Sequence, residues 1–239
     1  MTDWLHRERM LIGDEAVDLI KNKGVLIFGV GGVGGFALEA LVRAGVGAVT
    51  IVDNDTVSIT NINRQIIADT TTVGRLKTEV AAERCRAINP SIRIARYDTF
   101  ADADNIPAII DEVRPDYIID AIDTVTSKLE IICAATARGI PIISSMGTGS
   151  KLDPTRFRVV DITKTHTCPL AKVVRLKLRE RGVAHCDVLF SDEPPIRASC
   201  VSELEGKTTR HIPGSISFVP SSAGLIIGGY VVKALISSR

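Results

Sequence analysis

Val25-Leu-Ile-Phe-Gly29-Val-Gly-Gly-Val-Gly34 runs directly into Gly35-Phe-Ala-Leu-Glu39. The four apolar residues read as a buried strand, and the spacing from Val33 to Arg43 reads as a helix. The glycines between them fit a strand–turn–helix phosphate loop. Gly29 permits the tight turn, Gly31 lets backbone approach a phosphate with Gly32 beside it, and Gly34 lets the helix pack close. The helix N-terminus presents free N–H groups to the anion.

Working outward, apolar runs alternate with helical patterns. Val49–Val52, Ile92–Tyr97, Tyr117–Ile119 and Ile140–Ser144 read as further strands. Gly74–Ile88, Asn105–Glu112 and Thr124–Arg138 carry helical spacing. Short strands rich in Val and Ile imply a sheet covered on both faces. The expected fold class is therefore α/β, a Rossmann-like doubly wound, mainly parallel sheet with a C-terminal antiparallel elaboration. Residues 1–24 read as an N-terminal helical arm. Residues 151–239 read as an elaboration of the same single domain, spanning 1–239, since no flexible linker intervenes. In that part Phe157–Ile162 and Val188–Phe190 look like isolated strands. Pro169–Arg181 reads as a helix, and a last helix is expected from Ser221 to about Ser237.

Composition narrows the function. Lys and Arg number 29 against 28 Asp and Glu, which excludes a bulk polycation and an acidic disordered tail. The halves differ: the first 120 residues hold 13 basic and 18 acidic residues, the rest 16 and 10. Such asymmetry marks a candidate polyanion-binding face. Aromatics at 4% argue against a base-stacking platform. The five cysteines, Cys85, Cys133, Cys168, Cys186 and Cys200, form no Cys-x-x-Cys pair, which argues against a disulfide framework and a four-cysteine zinc site. His6, His166, His185 and His211 lack metal-ligand spacing. The charged start lacks a signal-peptide core, and the apolar part of Ile212–Val232, Ala223 to Val232, is too short for a transmembrane segment. A cytoplasmic enzyme is the expectation.

Asp53 ends the second strand 19 residues after Gly34, where a carboxylate can accept from ribose hydroxyls. These features alone fit an NAD-type dinucleotide or ATP. Beyond them, Asp53-Asn-Asp55 and Asn61-Ile-Asn-Arg64-Gln65 crowd carboxylates, amides and a guanidinium past the strand end. Lys77 follows Arg64 by thirteen residues, and two converging cations suit a triphosphate. After the fourth strand, Asp120-Ala-Ile-Asp123 places two carboxylates where open α/β sheets hold ligands, suited to Mg²⁺ beside phosphates.

On these residues the chain resembles the ubiquitin-activating-type adenylating superfamily. Within it the likeness is to the tRNA threonylcarbamoyladenosine dehydratases. Asn61-Ile-Asn-Arg-Gln65, Ile88-Asn-Pro90, Ile119-Asp-Ala-Ile-Asp123, Lys151-Leu-Asp-Pro-Thr155 and Pro169-Leu-Ala171 carry that likeness, over roughly residues 5–200. The resemblance implies an ATP-dependent adenylating enzyme and cyclising dehydratase acting on a tRNA substrate. A carboxylate attacks the α-phosphate, pyrophosphate leaves, and ring closure then expels AMP. It assigns Arg64, Lys77 and Arg9 to the phosphates, with Arg9 reaching across a homodimer to the partner's ATP. Asp53 takes the ribose, Asn61 assists at the phosphates, and Asp123 takes Mg²⁺; Asp55 and Gln65 join the cofactor-binding set.

Two alternatives stay open. Activation of a ubiquitin-like sulfur-carrier protein is disfavoured by the missing Cys-x-x-Cys pairs. An NAD(P)-dependent oxidoreductase is disfavoured by Arg64 and Lys77. Cys168 stands before Pro169, at a helix N-cap with Lys172 one turn on, a setting that lowers a thiol pKa. It is a structural cysteine in the preferred reading, with a nucleophile or acceptor from a sulfur-transfer protein partner as the other. In the helix after it, Leu170, Val173 and Val174 are expected to share a buried face, leaving Lys172, Arg175 and Arg179 as a strip for tRNA phosphates.

Overall fold

The computed structural model describes residues 4–196 and 213–237. Cys200 and His211 lie outside the described residues. Seven strands form one sheet: β1 (Gly24–Phe28), β2 (Ala48–Val52), β3 (Arg93–Tyr97), β4 (Tyr117–Asp120), β5 (Ile142–Ser145), β6 (Phe157–Asp161) and β7 (Asp187–Ser191). Their order is β3-β2-β1-β4-β5-β7-β6. All neighbours are parallel except β6 and β7. The chain winds one way from β1 through β2 to β3 and then the other way through β4 and β5. The crevice at that reversal, beyond the carboxyl ends of β1 and β4, is where such sheets hold ligands.

Strand period decides which helices cover which face. Val25 and Ile27 point into one core with helices α2 (Asp14–Ile20), α3 (Gly34–Arg43), α4 (Lys77–Ile88) and α8 (Phe218–Ser237). Leu26 and Phe28 point into the other with α5 (Ile106–Val113) and α6 (Val125–Ala137). A third cluster joins α6 to α7 (Pro169–Glu180) through Leu129, Ile132, Ala171, Val174 and Leu178. Each such side chain contributes about 1.5–3 kcal/mol when fully buried.

Four expectations need correction. β3 is an edge strand with Arg93 and Arg96 exposed, so it is not covered on both faces. β6 and β7 are not isolated: they pair antiparallel, and β7 extends the parallel sheet beside β5. On α7 the buried face is Ala171, Val174 and Leu178, whereas Val173 is 40% exposed. The last helix starts earlier than expected, because Pro220 is tolerated in its first turn.

By length and composition α8 is long and apolar enough to cross a membrane, yet one side is spent on α3. Gly224 and Gly228 make that approach possible. A Cβ on Gly224 would lie 2.3 Å from Val33 O, and one on Gly228 would lie 2.6 Å from Ala40 Cβ. Upstream of β1, α1 (His6–Ile12) buries none of its residues, and Met10 and Leu11 are exposed.

Candidate nucleotide site

A cavity of about 550 Å³ opens at the reversal point. Gly29, Gly31 and Gly32 form its floor, between the ends of β1 and β4. Gly29 has φ +87°, and a Cβ there would meet Ile122 Cγ2 at 2.9 Å. A Cβ on Gly34 would fall 1.8 Å from Gly29 O, so this glycine serves close packing and does not line the cavity. At Gly31 the protein leaves ordinary room, with Gln65 Nε2 3.7 Å from the same position.

Asp53, just past β2, braces the loop. Its Oδ2 accepts from the Val30 N–H at 2.9 Å, and its Oδ1 accepts from the Asp55 N–H at 2.9 Å. Burial pushes its carboxyl above the usual range, against the opposing pull of Lys77 and the two N–H groups. Lys77 opens α4 and is nearly buried. Its Nζ donates to Asp55 Oδ2 at 2.6 Å, and its N–H to Asp55 O at 3.0 Å.

A 3₁₀ turn at Ile59–Asn61 shapes the facing wall. Asn61 Oδ1 accepts from the Ser58 N–H at 3.0 Å, which leaves Nδ2 without a hydrogen-bond partner among the described residues. Arg64 Nη1 donates to Thr60 O at 2.8 Å and Asn63 Oδ1 at 3.0 Å, and burial draws its pKa down. Gln65 is buried, with its Oε1 lacking a hydrogen-bond partner among the described residues. A buried unsatisfied acceptor inside a ligand-sized cavity marks a place for an incoming donor.

Asp123, exposed on the β4–α6 connection, lines the opposite wall with Thr124 and Ser127. Asp120 does not join it, which corrects the reading of two carboxylates facing a metal. Its side chain is fully buried and paired with Lys128, 2.7 Å away. Thr99, Phe100 and Ala101 close one end of the cavity, and Thr148, Ser215 and Pro220 the other. The Asn63 side chain ties the latter end down by donating to Ser215 O at 3.0 Å. The sequence reading missed these lining residues and Lys128. The signal for Thr99–Ala101 was available, since they follow the carboxyl end of β3.

The structure thus brings together Gly29, Gly31, Gly32, Asp53, Asp55, Asn61, Arg64, Gln65, Lys77 and Asp123. It leaves Arg9 and Cys168 apart from them. Arg9 lies on α1, bonded to Asp14 at 3.0 Å and Asp18 at 3.1 Å. Cys168 does occupy the N-cap of α7, but it is 3% exposed and packs with Leu129, Met146 and Ala171. Burial pushes the Cys85 and Cys186 thiols up to about 12. His166 packs edge-on against Phe190, and His185 pairs with Asp161. No cluster of three or more His, Cys, Asp or Glu suits a metal among the described residues.

Comparison with known proteins finds relatives over nearly the whole chain. The tRNA threonylcarbamoyladenosine dehydratase of Bacillus subtilis (strain 168) is 44% identical over 238 residues, covering 96% of this chain and 93% of the relative. The crystal structure of Escherichia coli tRNA N6-threonylcarbamoyladenosine dehydratase in complex with ATP superposes with a TM-score of 0.87 at 32% identity, covering 99% of this chain and 97% of that one. The AMP complex of the same E. coli enzyme gives 0.86 at 34% identity, covering 96% and 92%. The ThiF family model matches residues 5–238, and the chain belongs to the ThiF family.

Proposed function

We propose that this chain is an ATP-dependent tRNA threonylcarbamoyladenosine dehydratase. The observation that carries the reading is the cavity itself, which a glycine loop, the two basic side chains Arg64 and Lys77 and the Asp123 carboxylate line together. A dinucleotide site needs the loop and Asp53 but gives Arg64 and Lys77 nothing to do; a triphosphate uses all four. The substrate class comes from the relatives, which act on tRNA by their names.

In this reading the glycine loop and the α3 N-terminus receive phosphate, and Asp53 accepts from the ribose hydroxyls. Arg64 and Lys77 neutralise the β- and γ-phosphates as charge moves onto the departing pyrophosphate, with the Asn61 amide beside them, while Gln65 Oε1 accepts from an N–H or O–H of the nucleotide. The threonyl carboxylate oxygen bonds to the α-phosphorus while the bond to pyrophosphate breaks. A nucleophilic atom within the same modification then attacks the acyl carbon, loses its proton and expels AMP. The net change is loss of water from the modified base, and no protein nucleophile is required, which suits a buried Cys168. The protein's contribution is placement and charge neutralisation.

The residues present fit Mg²⁺ as a nucleotide-borne ion. Asp120 is committed to Lys128, and both oxygens of Asp53 already accept backbone N–H groups. Asp123, which lines the cavity from the β4–α6 connection, is the carboxylate that would share the ion with phosphate oxygens, a ligand set that suits Mg²⁺. When bound, the ion supplies neutralisation of phosphate charge.

The reading carries a homodimer in the cytoplasm. Exposed Met10 and Leu11 on α1 support a partner surface there, from which Arg9 would leave two solvent-facing carboxylates to reach the partner's phosphates. Lys172 and Arg179 are exposed on α7 for tRNA, whereas Arg175 donates to Thr165 O at 2.8 Å and leaves the strip.

Pyrophosphate release tests the assignment, measured with tRNA bearing the modification, with unmodified tRNA and with a sulfur-carrier protein. Release with modified tRNA alone is expected. Release driven only by the carrier protein overturns it. A sulfur-transfer partner would appear as persulfide on Cys168 by mass spectrometry, which its burial argues against.

A further inference from the structure

Behind the cavity wall sits a charge pair that the proposed chemistry does not touch. Lys128 and Asp120 are both 0% exposed. The Lys128 ammonium has three protons and three acceptors: Asp120 Oδ2 at 2.7 Å, Ser144 Oγ at 3.2 Å and Ser145 O at 3.0 Å. Ser144 Oγ in turn donates to Asp120 Oδ2 at 2.6 Å, and Asp120 Oδ1 accepts from the Ile122 N–H at 3.3 Å. A buried ion pair is weak evidence for stability, because apolar side chains of similar volume often serve as well or better. Its retention calls for a geometric reason.

The location provides that reason. Asp120 ends β4, Lys128 lies in the first turns of α6, and the connection between them carries Asp123 into the cavity. The pair therefore closes the base of that connection, while Ser144 and Ser145 fasten it to β5. On the other side, the Ala121 N–H donates to Phe28 O at 2.8 Å. Ala121 O lies 3.0 Å from where a Gly29 Cβ would be, so the connection runs close against the glycine loop. Asp120 and Asp123 stand three residues apart on this connection, so a shift at Asp120 reaches the residues that present Asp123.

We propose that Lys128 is a positioning residue that acts through Asp120 to hold Asp123 where a nucleotide-borne divalent cation needs it. This rests on the reading of Asp123 as the Mg²⁺ carboxylate. Lys128 contacts no substrate in this role.

Removing Lys128 alone would strand a buried carboxylate and threaten folding. The deciding variant is therefore Lys128→Met/Asp120→Asn, which removes both charges together. Three measurements apply to the full chain: thermal melting, Mn²⁺ binding by electron paramagnetic resonance with a non-hydrolysable ATP analogue, and pyrophosphate release with modified tRNA. Cooperative melting is expected to persist, with metal-free analogue affinity unchanged. Mn²⁺ affinity should fall about 10–100-fold, the usual cost of disturbing groups that orient a metal ligand. The kcat should fall with it, and KM for tRNA should not move. Unchanged Mn²⁺ affinity in the folded double variant overturns the proposal. If the double variant melts without cooperativity, Asp120→Asn alone is judged by the same Mn²⁺ measurement. Asp123→Asn separates the two layers: unchanged Mn²⁺ affinity there removes the metal reading and this proposal with it. An effect at Asp123 without one at the pair removes this proposal alone.

Discussion

Lys77 Nζ rests 2.6 Å from Asp55 Oδ2, so the cation proposed to meet phosphate already holds a carboxylate. Lys77 is 8% exposed at its side chain and Asp55 60%, so the pair has one anchored and one solvated member. Phosphate would have to displace a carboxylate that water can readily take up. Lys77→Ala should therefore leave the melting temperature nearly unchanged, because Asp55 is not stranded. It should lower kcat/KM for pyrophosphate release about 10²–10³-fold. Asp55→Asn should tighten ATP binding in a direct titration, since it removes the competitor. Weaker ATP binding would mean that Asp55 aligns Lys77 and does not compete for it.

Gln65 offers a separation of stability from binding. Its Oε1 is buried without a partner, which disfavours the folded chain by the desolvation of that acceptor. Gln65→Leu keeps the volume and removes the unmet group. The chain should gain about 1 kcal/mol, which is a rise of roughly 2–4 °C in Tm at this size. ATP affinity should fall in parallel calorimetry. A destabilised variant with intact affinity would show that the oxygen has no ligand role.

Glu39 sets an acid limit on the α3–α4 packing. Burial works to raise its pKa, but hydrogen bonds from Arg84 at 2.7 and 2.9 Å and from Arg43 at 2.7 Å outweigh that and hold it below 4.5. With the folded value depressed, this contribution is complete above the unfolded pKa and is lost as pH falls through the folded one. Glu39→Gln should cost about 1–3 kcal/mol at pH 7 and should flatten the fall in Tm below pH 4.5. A variant whose melting tracks the parent throughout acid titration would contradict this.

The α7 strip is smaller than its sequence spacing suggests, because Arg175 is held by Thr165. Lys172→Glu/Arg179→Glu should weaken tRNA binding and reduce the slope of log K against log salt by about one per lost phosphate contact. ATP affinity should not change. Arg175→Gln, in contrast, should leave the salt slope alone and lower Tm. Equal slopes for all three chains would remove α7 from the tRNA surface.

Much of this was legible in the sequence because the decisive residues sit at strand ends, where position along the chain translates into position in space. Gly29, Asp53 and Asp123 each follow a short apolar run whose direction the parallel fold dictates. Lys128 was not legible. A lysine between Ser127 and Leu129 reads as a surface charge, and only the placement of Ser144 and Asp120 around its Nζ shows otherwise. Val173 misled for a related reason, since adjacent helix positions are 100° apart and the buried stripe of α7 falls on Val174. Thr148, Ser215 and Pro220 reach the cavity through loops and the far end of the chain, which no local period encodes.

The seating of α8 on α3 has a consequence for how the molecule comes into being. Pro220 Cβ lies 3.2 Å from where a Gly32 Cβ would be, and Gly224 presses on Val33 O, the residue that leads into α3. The glycine loop and the helix packed against it are thus 188 positions apart in the chain. Contacts of such separation close late, after local helices and neighbouring strands have formed. During synthesis the glycine loop waits, uncovered, for a helix still to be made, so a nascent chain completes this cavity only once α8 has emerged and not as β1 does.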